Sequence, residues 1–211
     1  MYVKDQMTRN PICIDENTPI SKALDIMANK GFHRLPIVDN DNHLLGLVTE
    51  GLISENMAGS ATSLSIYELN YLISKMTVKD IMTKDIITIS PDALLEEAAV
   101  KMRKHDIGCL IVTQNDVVIG IITQNDIFTA FIDLLGYNHG GTRYVVNIAN
   151  DQPGEFSKIC NNLAKMNANI SNLAVYHNAR GIEVVIIVDK NDLQEYLISL
   201  GYNVTNVLNN Y

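Results

Sequence analysis

Two short segments carry the side chains best suited to chemistry. Thr123-Gln124-Asn125-Asp126 places a hydroxyl three residues ahead of a carboxylate. An ionised carboxylate only accepts hydrogen bonds, which suits the paired hydroxyls of a ribose; a threonine hydroxyl and the free N–H groups at a helix start suit a phosphate. The same spacing also reads as a helix N-cap followed by an acid, a pairing that stabilises a helix by about 1 kcal/mol with no ligand present. The two readings are compatible. The second candidate is Asn150-Asp151-Gln152-Pro153-Gly154, a loop of turn-forming residues ahead of an apolar helical stripe. Its plain alternative is a tight turn in which Pro and Gly serve the backbone alone.

Catalytic patterns are missing. There is no HExxH, GxSxG, Walker loop or GxGxxG, and the five histidines (His33, His43, His105, His139, His177) show no ligand spacing. Glu96 and Glu97 are adjacent on a helix and so point apart. Cys13, Cys109 and Cys160 are odd in number, far apart and flanked by aliphatic residues, which predicts small buried side chains and no disulfide or zinc site. No catalytic residue, metal or catalytic cofactor is expected.

The chain has 211 residues, 47% of them hydrophobic, and a formal net charge of −8. That balance argues against a sequence-independent grip on nucleic acid, which needs many Lys and Arg on phosphates. The longest uncharged apolar runs, such as Val117 to Thr123 and Val184 to Val188, are too short to span a bilayer. The N-terminus opens on Lys4 and Asp5 with no apolar run, so a cytoplasmic protein is the expectation.

An internal repeat must position the first candidate. Val3-Lys4-Asp5-Gln6-Met7-Thr8 returns as Val78-Lys79-Asp80-Ile81-Met82-Thr83, 75 residues on. Carried to Val38, then at 74 from Leu44 to Ile53, the alignment holds 13 identities in 46 pairs, too many for chance. Ile20, Ala23, Leu24 and Met27 recur as Leu95, Ala98, Ala99 and Met102, each set lining one face of a helix. Asp92 reads as the start signal of the second of these helices. Short strands precede them at Ile12–Ile14 and Ile86–Ile89. Hairpins follow, Leu35–Val38 with Leu44–Val48 and Leu110–Val112 with Val117–Ile122. Each unit therefore reads strand, helix, strand, strand, helix.

This order, with the Met-Thr opening, the Leu35-Pro36-Ile37-Val38 strand and the Gly-x-x-Thr exits at Gly46–Thr49 and Gly120–Thr123, resembles the CBS (cystathionine β-synthase) domain. The stretch Ala61 to Leu72 between the units resembles the insert of acetoin-utilisation AcuB proteins. The resemblance implies that Thr123 and Asp126 bind the phosphate and ribose of AMP, ADP or ATP, held as a regulatory ligand. It implies that the pocket is completed by Asn10, Pro11 and Ile12, and by Phe32, His33 and Arg34. Arg34 offers a forked charge and His33 a pH-sensitive donor, against the plain reading of a solvated strand entry. A symmetry-related pocket would draw on Thr49, Thr83, Asp85 and Ile87. Because Leu52 stands where the acid should be, that pocket is predicted to be weak or empty.

Past Gly136 and Gly140-Gly141 the pattern changes. Strands at Tyr144–Ile148, Ile170–Tyr176, Ile182–Val188 and Asn203–Leu208 alternate with helices, one bearing Phe156, Ile159, Cys160 and Leu163, the other Leu193, Tyr196, Leu197 and Leu200. Pro153 is expected at the first helical position, and a turn at His177-Asn178-Ala179-Arg180-Gly181. The order βαββαβ is ferredoxin-like. With its Asp-x-Pro-Gly loop, this part resembles the ACT domain, which implies an amino acid held by Asn150 to Gly154 and Asn169, or dimerisation alone.

The expected fold is thus α/β (α+β): a CBS unit at 1–57, an insert at 58–75, a CBS unit at 76–135, a hinge at 136–142 and an ACT-like domain at 143–211. The expected function is ligand sensing through a homodimer that acts on an unidentified enzyme, with no nucleic-acid or membrane partner. The alternative is a structural dimerisation module with vestigial pockets.

Overall fold

The computed structural model describes residues 1–60, 75–148, 152–178 and 181–209. It divides the chain into two compact units, Met1–Ile127 and Phe128–Tyr211. The Ala61–Leu72 insert, Asn150 and Asp151 of the second candidate loop, and Ala179 and Arg180 of the last hairpin lie outside the described residues.

In the first unit the elements are α1 (Val3–Gln6), β1 (Thr8–Arg9), β2 (Ile14–Asp15), α2 (Ile20–Lys30), β3 (Arg34–Val38), β4 (Leu44–Thr49) and α3 (Glu50–Ser60). A 3-10 turn (Val78–Asp80), β5 (Thr88–Ile89), α4 (Leu95–His105), β6 (Cys109–Gln114) and β7 (Val117–Thr123) repeat them, and α5 (Gln124–Leu134) runs on into the second unit. Both repeats bury the stripe read from the sequence: Ile20, Ala23 and Met27 in α2, Leu95, Ala98 and Met102 in α4. The short strands begin later than expected. Pro11 has no N–H to donate to a ladder, and Ile12, 37% exposed, turns outward. Asp92 does not start α4 either; Leu94 caps it, and the Asp92 carboxylate meets Lys4 Nζ at 2.7 Å.

That last contact belongs to an exchange between the repeats. The N–H groups of Val3 and Lys4 donate to the carbonyls of Ala93 and Pro91, and β1 pairs with β7, Thr8 opposite Ile121. In return, the N–H groups of Val78 and Lys79 donate to Thr18 and Glu16, while Thr83 and Leu47 exchange two backbone hydrogen bonds of 2.9 and 3.0 Å. Val78 and Ile81 consequently sit in the hydrophobic core of the first repeat, with Ile14, Leu35, Ile37 and Val48. The sheets are β2-β3-β4 and β1-β7-β6-β5, so each repeat completes the other.

The second unit contains β8 (Thr142–Ile148), α6 (Glu155–Lys165), β9 (Ile170–Asn178), β10 (Gly181–Val188), α7 (Gln194–Ser199) and β11 (Asn203–Asn209). Its sheet order, β11-β8-β10-β9, is antiparallel throughout, the ferredoxin-like arrangement that βαββαβ implies. Tyr144 is fully buried at its centre; its hydroxyl donates to Lys190 O and accepts from Leu193 N–H at 3.2 and 3.1 Å. Desolvation raises its pKa above the usual phenol value. Pro153 falls outside α6, which starts at Glu155, because Gly154 takes a positive φ of 96° as the cap. Of the cysteines only Cys109 is buried; Cys13 and Cys160 are half-buried, and burial pushes the Cys13 thiol up. Among the described residues no helix is long and apolar enough to cross a membrane.

The exchange brings backbone against backbone at Gly46 and Gly120. A Cβ on Gly46 would stand 2.8 Å from Thr83 O, and one on Gly120 would stand 2.5 Å from Met7 Sδ but 3.2 Å from Thr8 O. Methionine can move aside, whereas a hydrogen-bonded carbonyl cannot. Urea unfolding should therefore show Gly46→Ala costing about 2–3 kcal/mol and Gly120→Ala about 1 kcal/mol. Equal losses would contradict this packing.

Candidate functional site

The strand-to-helix turn at the end of each repeat builds one side of a cleft, and the entry strands of the other repeat build the opposite side. In the first cleft Thr123 leaves β7 and begins the turn into α5. The Thr123 N–H and hydroxyl both donate to Asp126 Oδ2 at 2.7 Å, and Thr123 Oγ1 accepts the Asp126 N–H at 3.3 Å. This is the reciprocal cap that the spacing allows. It holds the carboxylate against Thr123 at the start of α5, and the Gln124 N–H donates to Gly108 O at 3.2 Å.

The cleft beside it has a cavity volume of about 240 Å³, with Pro11, Ile12, Phe32, His33, Arg34 and Thr123 in its lining. Phe32 is 40% exposed despite its size, so it offers an apolar face to the opening. Two expected residues stand off the wall. Asn10 adopts a positive φ of 47° and donates its N–H to Ile119 O, and Asp126 is turned toward Thr123.

The second cleft contains all four residues assigned to it, Thr49, Thr83, Asp85 and Ile87, around a larger cavity of about 500 Å³. Thr49 Oγ1 accepts the Leu52 N–H at 3.1 Å, a cap without an acid. Glu50, one residue on, meets His33 Nδ1 at 2.8 Å. His33, Arg34 and Gly108 line both clefts, forming their common wall. The Arg34 guanidinium passes 3.2 Å from where a Cβ of Gly108 would be, a path that any larger residue would narrow. Gly108 carries no side-chain signal in the sequence; only its place as the repeat partner of His33 points to it. Gln124 and Glu50, also on the walls, are found the same way.

One histidine, His43, stands beside two carboxylates. The His43 ring and the carboxylates of Asp39 and Asp41 bring ligand-type atoms within 4.8 Å of one another in the β3–β4 turn. The Asp39 carboxyl is held below its ordinary pKa, chiefly by the His43 backbone N–H.

In the second unit the loop candidate is divided. Ile170 and Thr142 both register with Val188, whereas Ile148 registers with Ile182 at the other end of the sheet. Asn169 therefore lies at the end opposite the loop that follows Ile148, where its N–H donates to Asp189 Oδ1 at 2.8 Å. Near the loop, Asn147, Glu155, Lys158 and Tyr202 line a cavity of about 410 Å³ that includes neither Asn169 nor Gln152, Pro153 or Gly154.

The CBS-domain family profile matches residues 3–59 and 78–133. The chain belongs to the CBS-domain family. Its CBS pair is similar to a Vibrio cholerae protein assigned to acetoin utilization (AcuB): 33% identity, TM-score 0.55, covering 65% of this chain and 95% of that one. It is similar to the CBS domain pair of protein MJ0100, solved with 5′-methylthioadenosine and S-adenosyl-L-methionine, at 30% identity and TM-score 0.54, over 62% and 95% of the two chains. CBSX2 in complex with AMP matches at 26% identity and TM-score 0.52, over 63% and 96%. Among curated relatives, the homoserine O-acetyltransferase of Methanococcus vannielii is 35% identical over 119 residues, 56% of this chain. The chain spans only about a fifth of the length of that relative, 22%.

Because Thr123 and Asp126 share one cap, Thr123→Ala and Asp126→Ala should each lower stability without ligand by about 1 kcal/mol. The double variant should lose less than the two losses added together, as residues of one network do. Strict additivity in urea unfolding would show that the cap does not act as a unit.

Proposed function

We propose that this CBS pair is a ligand-responsive regulator that binds an adenine nucleotide of the AMP, ADP or ATP class in its first cleft. The observation that carries this reading is the Thr123–Asp126 cap opening onto a cleft that also holds Arg34, His33 and the apolar Ile12 and Phe32. Asp126 accepts from the ribose hydroxyls. Thr123 and Arg34 receive the phosphate. Ile12 and Phe32 sandwich the purine. The complexes of MJ0100 with adenosyl compounds and of CBSX2 with AMP support the ligand class.

In this reading the chain works in the cytoplasm as a homodimer, transmits occupancy to a partner enzyme and catalyses no reaction itself. The CBS units span 1–57 and 76–135. An ACT-like domain at 143–211 adds an amino-acid response through the Asn150 to Gly154 loop. Signalling requires that the nucleotide favour one arrangement of the dimer over another, since equal affinity for both shifts nothing.

A second reading, a dimerisation module with unused clefts, is favoured by one observation. Phe128, Phe131 and Leu134 on α5 are 63%, 58% and 58% exposed, an apolar stripe suited to burial against another copy.

Titration of AMP, ADP and ATP, followed by thermal unfolding, separates the readings. Saturation at a hundred times the dissociation constant should add about 2.7 kcal/mol, a rise of about 5–10 °C. Asp126→Ala should abolish most of it. No rise with any of the three, and an oligomer size indifferent to them, would leave the dimerisation module.

A further inference from the structure

In the second unit, Tyr144 and Ile186 point into the core beneath the helices, so their neighbours Arg143 and Ile187 face the other side of the sheet. Ile187 is in register with Arg143 on one side and Asn172 on the other, which sets the three side chains in one row across β8, β10 and β9. Two buried polar atoms of this row, Arg143 Nε and Asn172 Oδ1, have no hydrogen-bond partner. One is a donor and the other an acceptor. Their strands stand two spacings apart, about 10 Å, a span that an extended arginine and an asparagine close together. The chain leaving α5 lies between them. A Cβ on Gly136, whose φ is +73°, would stand 2.8 Å from Asn172 Cβ and 2.8 Å from Ile187 Cδ1, so the backbone presses on the middle of the row. Asn172 Nδ2 meanwhile donates at 2.6 Å to Leu134 O, one of the carbonyls that a helix end leaves open. That bond orients the amide and leaves Oδ1 over. An unpaired buried donor and an unpaired buried acceptor are each costly, and here each is what the other lacks.

We propose that the end of α5 is held by a two-state latch whose common member is Asn172. In the latched state the Asn172 amide caps Leu134 O, and Gly136 shuts the guanidinium out. In the released state Gly136 lifts from Ile187, Arg143 Nε–H donates to Asn172 Oδ1, and Leu134 O turns to water. The two states exclude one another, because the backbone at Gly136 and the guanidinium need the same space over Ile187. Each satisfies what the other leaves unpaired, which keeps the free-energy gap between them small. Latching orders the last turn, where the N–H groups of Leu135, Gly136 and Tyr137 donate to Phe131, Asp133 and Ile132; release frees it. The helix that ends at this latch carries Asp126 in its first turn, so a ligand acting on that turn would bias the latch. The latch itself does not depend on what the first cleft binds.

Amide hydrogen exchange on the full chain, resolved by NMR at Leu135, Gly136 and Tyr137, tests this. Asn172→Asp keeps an acceptor for Arg143 but cannot donate to Leu134 O, so exchange at these amides should quicken about tenfold. Arg143→Met keeps an apolar stem and removes the bond that the released state gains, so exchange there should slow about tenfold. The opposite signs are the signature, because losing a side chain that merely packs on the sheet quickens exchange beside it. Val145 and Val185, paired in the β8–β10 ladder, should exchange at their original rates in both variants and so report an intact fold. Quicker or unchanged exchange in Arg143→Met would mean that Arg143 Nε takes no part in a released state and is met by water instead, and would overturn the proposal. Unchanged exchange in Asn172→Asp would overturn it as well. Should Asn172→Asp lose its fold, the sign in Arg143→Met decides alone.

Discussion

The structure of the first unit depends on a mutual exchange of short opening segments. Each repeat sends its Met-Thr turn to the other, where Thr8 lies opposite Ile121 and Thr83 bonds to Leu47 through paired backbone groups. Backbones come this close only because Gly46 and Gly120 face the incoming chain without side chains. The exchange also carries Val78 and Ile81 into the core of the first repeat. Surface ion pairs such as Lys4–Asp92 and Lys79–Glu16 mirror one another across it, but exposed pairs contribute little. Hydrogen bonding and apolar burial hold the repeats together.

The clefts are by-products of that pairing. Whatever enters the first strand of one repeat must lie beside the final turn of the other, so Pro11 and Ile12 meet Thr123, and Ile86 and Ile87 meet Thr49. Pseudo-symmetry makes two sites geometrically obligatory while leaving their chemistry free to diverge. The divergence follows from a few side chains: Asp126 against Leu52, Gln124 against Glu50, Gly31 against Asp106. Arg34 has no counterpart charge, because Cys109 occupies the equivalent position, and Gly108 leaves room for its guanidinium.

The second unit shows how a loop motif and its fold can be read separately. The periods of its strands and helices produce the ferredoxin-like sheet. Within one chain, however, Asn169 and the loop after Ile148 belong to opposite ends of that sheet, because the intervening helix α6 returns the chain to the starting edge before β9 begins. Two residues can seem to share a loop cluster in sequence and still lie a strand length apart.

Element types and order were legible in the residues alone, because burying one face imposes a period on each element: Ile20, Ala23 and Met27 for α2, the alternating Tyr144, Val146 and Ile148 for β8. The Thr123–Asp126 cap was legible for the same reason, being a contact between residues three apart. Asp92 and Pro153 misled because a cap depends on local backbone angles, and these were set by the incoming α1 segment and by the positive φ of Gly154. By itself the sequence determined which segments coil or extend and that two of them are copies. Only the tertiary structure decided that the copies exchange their openings, that Arg34 and Gly108 form a wall common to both clefts, and that the second cleft collects three carboxylates. Those facts are distances between residues far apart in the chain, 21 positions for Asp85 and Asp106 and 113 for Thr8 and Ile121, and no local preference of a residue encodes a distance of that kind.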